Sequence, residues 1–366
     1  MYQVPLPQEY ADLTTQEADA RIETVKHKMG SRLVILGHHY QRDDVIKHAD
    51  FRGDSYKLAK DASSRPDAEF IVFCGVHFMA ESADILTPDN QRVILPNLAA
   101  GCSMADMANL FQVRNCWKQL DALPGIDTSR IVPVTYINSA ANLKAFVGER
   151  GGTVCTSTNA PTAVAWALEQ GDKVLFFPDQ HLGRNTGVRL GFDPDSEMCV
   201  WDPFKPLGGN SPEQLVAAKF ILWKGHCSVH ARFSVSQIEQ ARSRMPGVQV
   251  VVHPECELDV VKAADLNGST EFIIKVIEAS SPGAKWAVGT EINLVSRLAN
   301  QLPDRQIVCL DPQICPCSTM YRIHPSFLCW TLENLERGEV VNQVIVPPKV
   351  KHFASVALER MLTVCA

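Results

Sequence analysis

The sequence predicts an α/β protein built from three similar lobes, each a parallel sheet covered by helices on both faces. Three observations predict it. Apolar strands alternate with helix-like stretches along the chain, the pattern of βαβ units and buried parallel sheets. Four kinds of segment recur three times in the same order, and repeats of this kind outrank any local motif. The first strand of each copy ends in polar residues, and in such folds the C-terminal ends of parallel strands face the crevice where ligands bind.

The elements follow in chain order within each copy. First comes an apolar strand: RLVILGHHYQ (32–41), IVPVTYINS (131–139) and VQVVVHPE (248–255). A turn rich in Ser, Thr and Gly is second: FRGDS (51–55), VCTSTNA (154–160) and LNGST (266–270). A helix-like stretch follows each turn. Another apolar strand is third: EFIVFCG (69–75), KVLFFPD (173–179) and KWAVGTE (285–291). The fourth segment leads to a cysteine: VILPNLAAGCS (93–103), FILWKGHCS (220–228) and QIVCLDPQICPCS (306–318). These copies divide the chain into lobes at 1–125, 126–235 and 236–366, with a pseudo-threefold arrangement around a central site as the expectation. The stretch 15–28 predicts a helix, with Thr14 and Glu17 as a capping box and Gly30 as its stop. The apolar spacing over 353–365 predicts a helix packed on a lobe. The Gly- and Pro-rich stretch 186–214 is longer than an ordinary connection and reads as a lid, an interface or surface decoration.

Composition narrows the function classes. The 366 residues are 46% hydrophobic and 21% charged, which suits a globular chain with a sizeable core. No apolar run reaches the ~20 residues of a membrane span. The N-terminus lacks a basic segment followed by an apolar one, so it does not read as a secretory signal, and a cytoplasmic location is expected. The net charge of −6, with no block of Lys or Arg, argues against nucleic-acid or membrane partners. Twelve cysteines in such a chain do not imply a disulfide framework. Cys74, Cys116, Cys199, Cys309, Cys329 and Cys365 read as small core residues.

Three cysteines read differently. Cys102, Cys227 and Cys317 are each followed by Ser, at the same place in the three copies. Cys315 is followed by Pro316 and has no counterpart, so it is a neighbour of the site and not part of it. Three thiolates without a matching fourth ligand suggest a metal centre with an open position. A catalytic zinc and an iron–sulfur cluster both meet that description. An open metal acts as a Lewis acid toward a carboxylate or hydroxyl, which suits loss of water or imine chemistry.

The ordered motifs GHHYQ, GDS, GCSMADM, YINS, VCTSTNA, PDQHLGRN, WKGHCSVH, VHPEC, NGST, GTE and CSTM carry a resemblance. From about residue 31 to 345 the chain resembles the A-type quinolinate synthase family of de novo NAD synthesis. That resemblance implies a triplicated α/β fold. It also implies a [4Fe–4S] cluster held by Cys102, Cys227 and Cys317 with one open iron. The implied reaction condenses iminoaspartate with dihydroxyacetone phosphate to quinolinate, releasing phosphate and two waters. An L-aspartate oxidase or dehydrogenase is the implied imine donor.

The resemblance also implies residue roles. Glu255 resembles the general acid–base, and a carboxylate in a partly closed site is expected to have a raised pKa suited to that task. His253 and His38 resemble substrate-binding groups, and Tyr40 a mobile tyrosine that covers or activates substrate. Tyr136 and Asn138 match groups that orient the intermediate. Ser55, Ser157, Ser269 and Thr270 lie in turns before helices, where N–H groups and the helix dipole attract anions. Ser55, Ser157 and Thr270 are the closest matches, and plain N-capping is the alternative use of such residues. His39 receives no role. The C-P-C spacing departs from the C-x-x-C-x-x-C run of some members, so a redox switch there does not carry over. Two alternatives stand beside this reading: a related iron–sulfur hydro-lyase, and a non-catalytic iron or redox sensor on the same fold.

Overall fold

The computed structural model describes residues 3–313 and 316–365. Cys315 lies outside the described residues, and the assignment made for it with it. The chain forms three sheets of parallel strands. The first holds β1 (Leu33–His38), β2 (Phe51–Gly53), β3 (Phe70–Cys74) and β4 (Arg92–Ile94). In the second are β5 (Ile131–Tyr136), β6 (Thr153–Cys155), β7 (Lys173–Phe177), β8 (Met198–Trp201) and β9 (Phe220–Trp223). The third comprises β10 (Gln249–Val252), β11 (Leu266–Asn267), β12 (Lys285–Gly289) and β13 (Gln306–Cys309).

The repeat is visible in the topology. The shared order is β2-β1-β3-β4, β6-β5-β7-β9 and β11-β10-β12-β13. The first strand of each copy therefore sits between the second and third, and the connection reverses direction there. Such a switch point opens a crevice at the C-terminal strand ends. Register agrees too. Gly37 pairs with Cys74, Thr135 with Phe177 and Val252 with Gly289. His38, Tyr136 and His253 each come one residue later, so all three occupy one position of the repeat.

Burial explains why these runs are strands. β1, β3 and β5 are buried along their whole length, as strands covered on both faces must be. Phe70, Phe73, Phe176 and Phe220 are all within 2% of full burial, and each side chain contributes about 1.5–3 kcal/mol.

The structure adjusts the expected elements. Each Ser/Thr/Gly turn begins with a short strand (β2, β6 or β11) that pairs on the first strand before the helix starts. Segment 186–214 is neither lid nor decoration along its whole length. It completes the helix Gln180–Arg189 and then supplies β8, an edge strand parallel to β9. Cys199, Cys309 and Cys365 are half-buried rather than in the core. Cys199 lies on edge strand β8, Cys309 ends edge strand β13, and Cys365 follows the last helix.

The chain forms two compact units. One comprises the chain up to Cys102, with Glu291–Arg297 and 316–347. It contains the first sheet, to which β14 (Gln343–Val344) adds an antiparallel edge on β4. Its helix Thr15–Met29 starts with the expected box: Thr14 Oγ1 accepts the Glu17 N–H at 3.2 Å, and Glu17 accepts the Thr14 N–H at 2.9 Å. Such a cap contributes about 1 kcal/mol. The helix ends at Gly30, whose φ of +54° is a conformation open to glycine. Its buried Ile22, Val25 and Met29 share one face, and the helix packs on helix Pro325–Glu336. There Arg21 grips Glu333 with two hydrogen bonds of 2.6 Å.

The other unit runs over Ser103–Thr290, Leu298–Gln313 and the last helix, and contains the second and third sheets. Helix Pro348–Val364 packs on helix Ala141–Glu149. Gly148 permits that approach, because a Cβ there would stand 1.9 Å from the Phe353 carbonyl oxygen. Among the described residues no helix is long and apolar enough to cross a membrane.

Candidate active site

The unit with two sheets assembles a buried acid–base group. Tyr136 ends β5, while His253 and Glu255 follow β10, and all three are at most 5% exposed. Glu255 Oε2 lies 2.6 Å from His230 Nδ1, and His230 Nε2 lies 3.2 Å from Thr290 Oγ1. The His230 and His253 rings stack with centroids 4.4 Å apart. The Tyr136 hydroxyl donates to Glu255 as well. Asn185 clamps the turn around Glu255 by donating to the carbonyls of Pro254 and Cys256, both at 2.8 Å.

Electrostatics separates the carboxyl groups. Burial alone would raise the Glu255 pKa, but His230 and His253, with hydrogen bonds from His230 and Tyr136, bring it below the ordinary carboxylate range. The expected upward shift is thus corrected: Glu255 is held as a carboxylate base. Burial pushes His253 down to about 3, and neighbouring His230 adds to this, so its imidazole is neutral. Asp179 caps helix Gln180–Arg189 by accepting the Leu182 N–H at 2.7 Å. Full burial, then the charge of Glu255, push its pKa well above the usual value. Two carboxyl groups whose surroundings push their pKa values in opposite directions are a pattern of acid–base sites.

Cys227 stands beside this group. Its Sγ, a His230 nitrogen and a Glu255 oxygen lie within 4.8 Å of one another, a spacing that one metal ion spans. The loop is braced before the cysteine. Trp223 Nε1 donates to the Met107 carbonyl at 2.8 Å, and the Gly225 carbonyl accepts the Gln180 N–H at 2.9 Å. Asn138 is half-buried in the loop after β5. Ser157 lies between Thr156 and the cap Asn159, which bond each other reciprocally. Ser269 caps helix Thr270–Glu278, accepting the Phe272 N–H at 3.3 Å, so Thr270 is its first residue and not its cap.

The other unit holds the remaining predicted residues. His38 ends β1, and its Nδ1 accepts the Tyr40 N–H at 3.1 Å. That bond leaves Nε2 to carry the proton of the neutral ring. The Tyr40 ring meets His38 edge-on at 4.9 Å. Ser55 opens helix Ser55–Ser63, which Asp54 caps by accepting the Lys57 N–H at 2.9 Å. Cys102 directly precedes helix Ser103–Asp106. Cys317 donates its N–H to Glu291 Oε1 at 3.2 Å. Burial pushes Glu291 up to about 7, against N–H groups of Cys317, Asn293 and Leu294 that favour its ionised form.

The three Cys-Ser pairs share a local frame. A helix N-cap follows each cysteine by the same seven residues: Asn109, Ser234 and His324. The carbonyls of Cys227 and Cys317 accept the N–H four residues on, at 2.9 and 3.0 Å. Exposure separates these cysteines from the fully buried ones. Cys102, Cys227 and Cys317 are half-buried, whereas burial pushes the Cys74 thiol up to about 12 and those of Cys116, Cys155 and Cys256 well above their ordinary value.

His230, Asp179, Asn185 and Glu291 were not singled out from sequence, although the motifs WKGHCSVH, PDQHLGRN and GTE contain them. One signal was available. Asp179 and Glu291 stand two residues after the third strand in the second and third copies.

The model of the family "Quinolinate synthetase A protein" matches residues 20–363. A quinolinate synthase of Corynebacterium glutamicum is 59% identical over 359 residues, covering 98% of this chain and 90% of that protein. One from Streptomyces coelicolor is 57% identical, covering 94% and 87%. Another, from Herpetosiphon aurantiacus, is 55% identical, covering 98% and 95%. With switch-point residues repeated in three sheets and similarity along nearly its full length, this chain belongs to the quinolinate synthetase A family.

Proposed function

We propose that this protein is an enzyme that condenses iminoaspartate with dihydroxyacetone phosphate, releasing phosphate and two waters and forming quinolinate for NAD synthesis. An L-aspartate oxidase or dehydrogenase would supply the imine in the cytoplasm. Family membership supports the reaction, and the buried Glu255 with its two donors, His230 and Tyr136, is the observation that carries the chemistry.

Cys102, Cys227 and Cys317 would hold a [4Fe–4S] cluster with one open iron. The donor set fits, since iron–sulfur clusters take thiolates and these three half-buried thiols repeat in one frame. A single ion on Cys227, His230 and Glu255 is the weaker reading, because both ring nitrogens of His230 already have partners. When bound, the cluster supplies a Lewis acid for a substrate carboxylate or hydroxyl.

The chain's own residues do the rest. Glu255, kept ionised, takes a proton from the bound intermediate. His230 holds the carboxylate, and Thr290 partners the far nitrogen of that imidazole. Tyr136 fixes the second donor to Glu255, and Asn138 orients the intermediate from the following loop. Neutral His253 and the Nε2–H of His38 offer hydrogen bonds without added charge. Tyr40 covers the substrate. Ser55, Ser157 and Thr270 bind carboxylate and phosphate at helix starts; Asp54 and Ser269 supply the side-chain caps of two of those helices, which supports a binding role for Ser55 and Thr270.

The test is anaerobic incubation with both substrates, followed by quinolinate detection. Glu255→Gln should keep iron and sulfide and lose about 10²–10⁴-fold in turnover. Cluster-loaded protein that makes no quinolinate would defeat the assignment.

A further inference from the structure

Glu291 is buried without exposure, and its carboxylate is fully used. Oε2 accepts the N–H groups of Asn293 and Leu294 at 2.8 and 3.3 Å, which caps the helix Ile292–Gln301. Oε1 accepts the Cys317 N–H at 3.2 Å and the Asn293 amide at 2.9 Å. Four donors thus meet two oxygens, close to the full capacity of a carboxylate.

The same helix face holds a second loop. Asn293 and Arg297 are four residues apart, hence on one side of the helix. Asn293 Nδ2 donates to the Tyr40 carbonyl at 3.4 Å. Arg297, 9% exposed, donates to the carbonyls of His39 and Gln41 at 2.9 and 2.5 Å and to Asp43 Oδ1 at 2.7 Å. Three consecutive carbonyls, 39 to 41, are therefore held by two side chains of one helix. Gln41 also donates to the Met320 carbonyl at 3.3 Å, three residues beyond Cys317.

We infer that Glu291 is a positioning residue that fastens Cys317 and, through Asn293, the Tyr40 loop into one hydrogen-bonded body. The backbone of 39–41 is thereby fixed, so that any movement of Tyr40 is a rotation of its side chain and not a swing of the loop. The functional part of this inference rests on the proposed roles of Cys317 and Tyr40; the coupling itself does not.

Glutamine discriminates, because its single carbonyl oxygen cannot serve four donors and its amide group would face two N–H groups. The experiment compares the full-length protein with Glu291→Gln and Asn293→Ala. Hydrogen exchange is read by peptide, alongside iron and sulfide content, the spectrum of the reduced cluster, and KM and kcat for dihydroxyacetone phosphate. Glu291→Gln should speed exchange about tenfold in peptides covering both 39–43 and 317–322, and should alter the cluster spectrum. Asn293→Ala should speed it only in 39–43, leave the spectrum unchanged, and raise KM severalfold with kcat nearly kept. Wild-type exchange at 39–43 in both variants overturns the inference. Absence of a cluster in the wild type instead defeats the functional reading, while the exchange pattern still decides the coupling.

Discussion

Removing His230 tests the acid–base reading most directly. Its Nδ1 is 2.6 Å from Glu255 in a pair at most 2% exposed, and its pull opposes the burial that would raise the Glu255 pKa. In His230→Leu that opposition is largely lost. A hydrogen bond to a charged group contributes about 1.5–3 kcal/mol. At about 1.36 kcal/mol per pKa unit, the Glu255 pKa should rise by about 1–2 units. A base works only when ionised, so kcat/KM climbs with pH through its pKa. The acid limb of the profile should therefore move about 1–2 units to higher pH. His230→Gln, which keeps one N–H to donate, should recover part of the shift. Quinolinate formation is followed anaerobically across pH, with iron and sulfide measured at each point so that cluster loss is not mistaken for titration. An acid limb that stays in place in His230→Leu, with the cluster intact, would refute the claim that His230 sets the charge of Glu255.

Three further expectations concern the cluster and the fold. Cys102→Ser, Cys227→Ser and Cys317→Ser should each lose most bound iron and sulfide, whereas Cys315→Ser should retain them; metal analysis of anaerobically purified variants decides. Gly148→Ala should destabilise by about 1–3 kcal/mol, since its Cβ would stand 1.9 Å from the Phe353 carbonyl oxygen, and a thermal melt should show the loss. Glu333 is held below the ordinary range first by the hydrogen bonds from Arg21 and then by one from Tyr10, against burial. A depressed carboxylate contributes stability above its unfolded pKa of about 4.3 and loses it as pH falls through the folded value. Urea melts at falling pH should show that loss in the wild type and much less of it in Arg21→Met.

The repeat was legible because it is written in residue types whose placement is local. A strand buried on both faces must be apolar along its run, as LVILG and FIVFC are. A helix start needs a cap, and Thr14–Glu17 supplies one. Less legible was the environment of each site residue. Glu255 looked like a carboxylate whose pKa a partly closed site would raise, yet His230 and His253 reverse the sign. The segment 186–214 looked irregular because β8 is an edge strand of mixed burial, without a continuous apolar run.

The amino-acid order by itself determined the strand-and-helix alternation, the threefold copy, the Cys-Ser frame and the family resemblance. The alternation and the copy follow from near-neighbour sterics, periodicity and burial pattern, while the frame and the resemblance rest on short motifs that recur in a fixed order. Only the tertiary structure decided that His230 faces Glu255, that Asp179 and Glu255 lie on opposite sides of ordinary carboxylate behaviour, and that Glu291 joins two distant loops. Charge states and hydrogen-bond partners depend on groups remote in the chain. The electrostatic free energy of a side chain is set by what folding brings beside it.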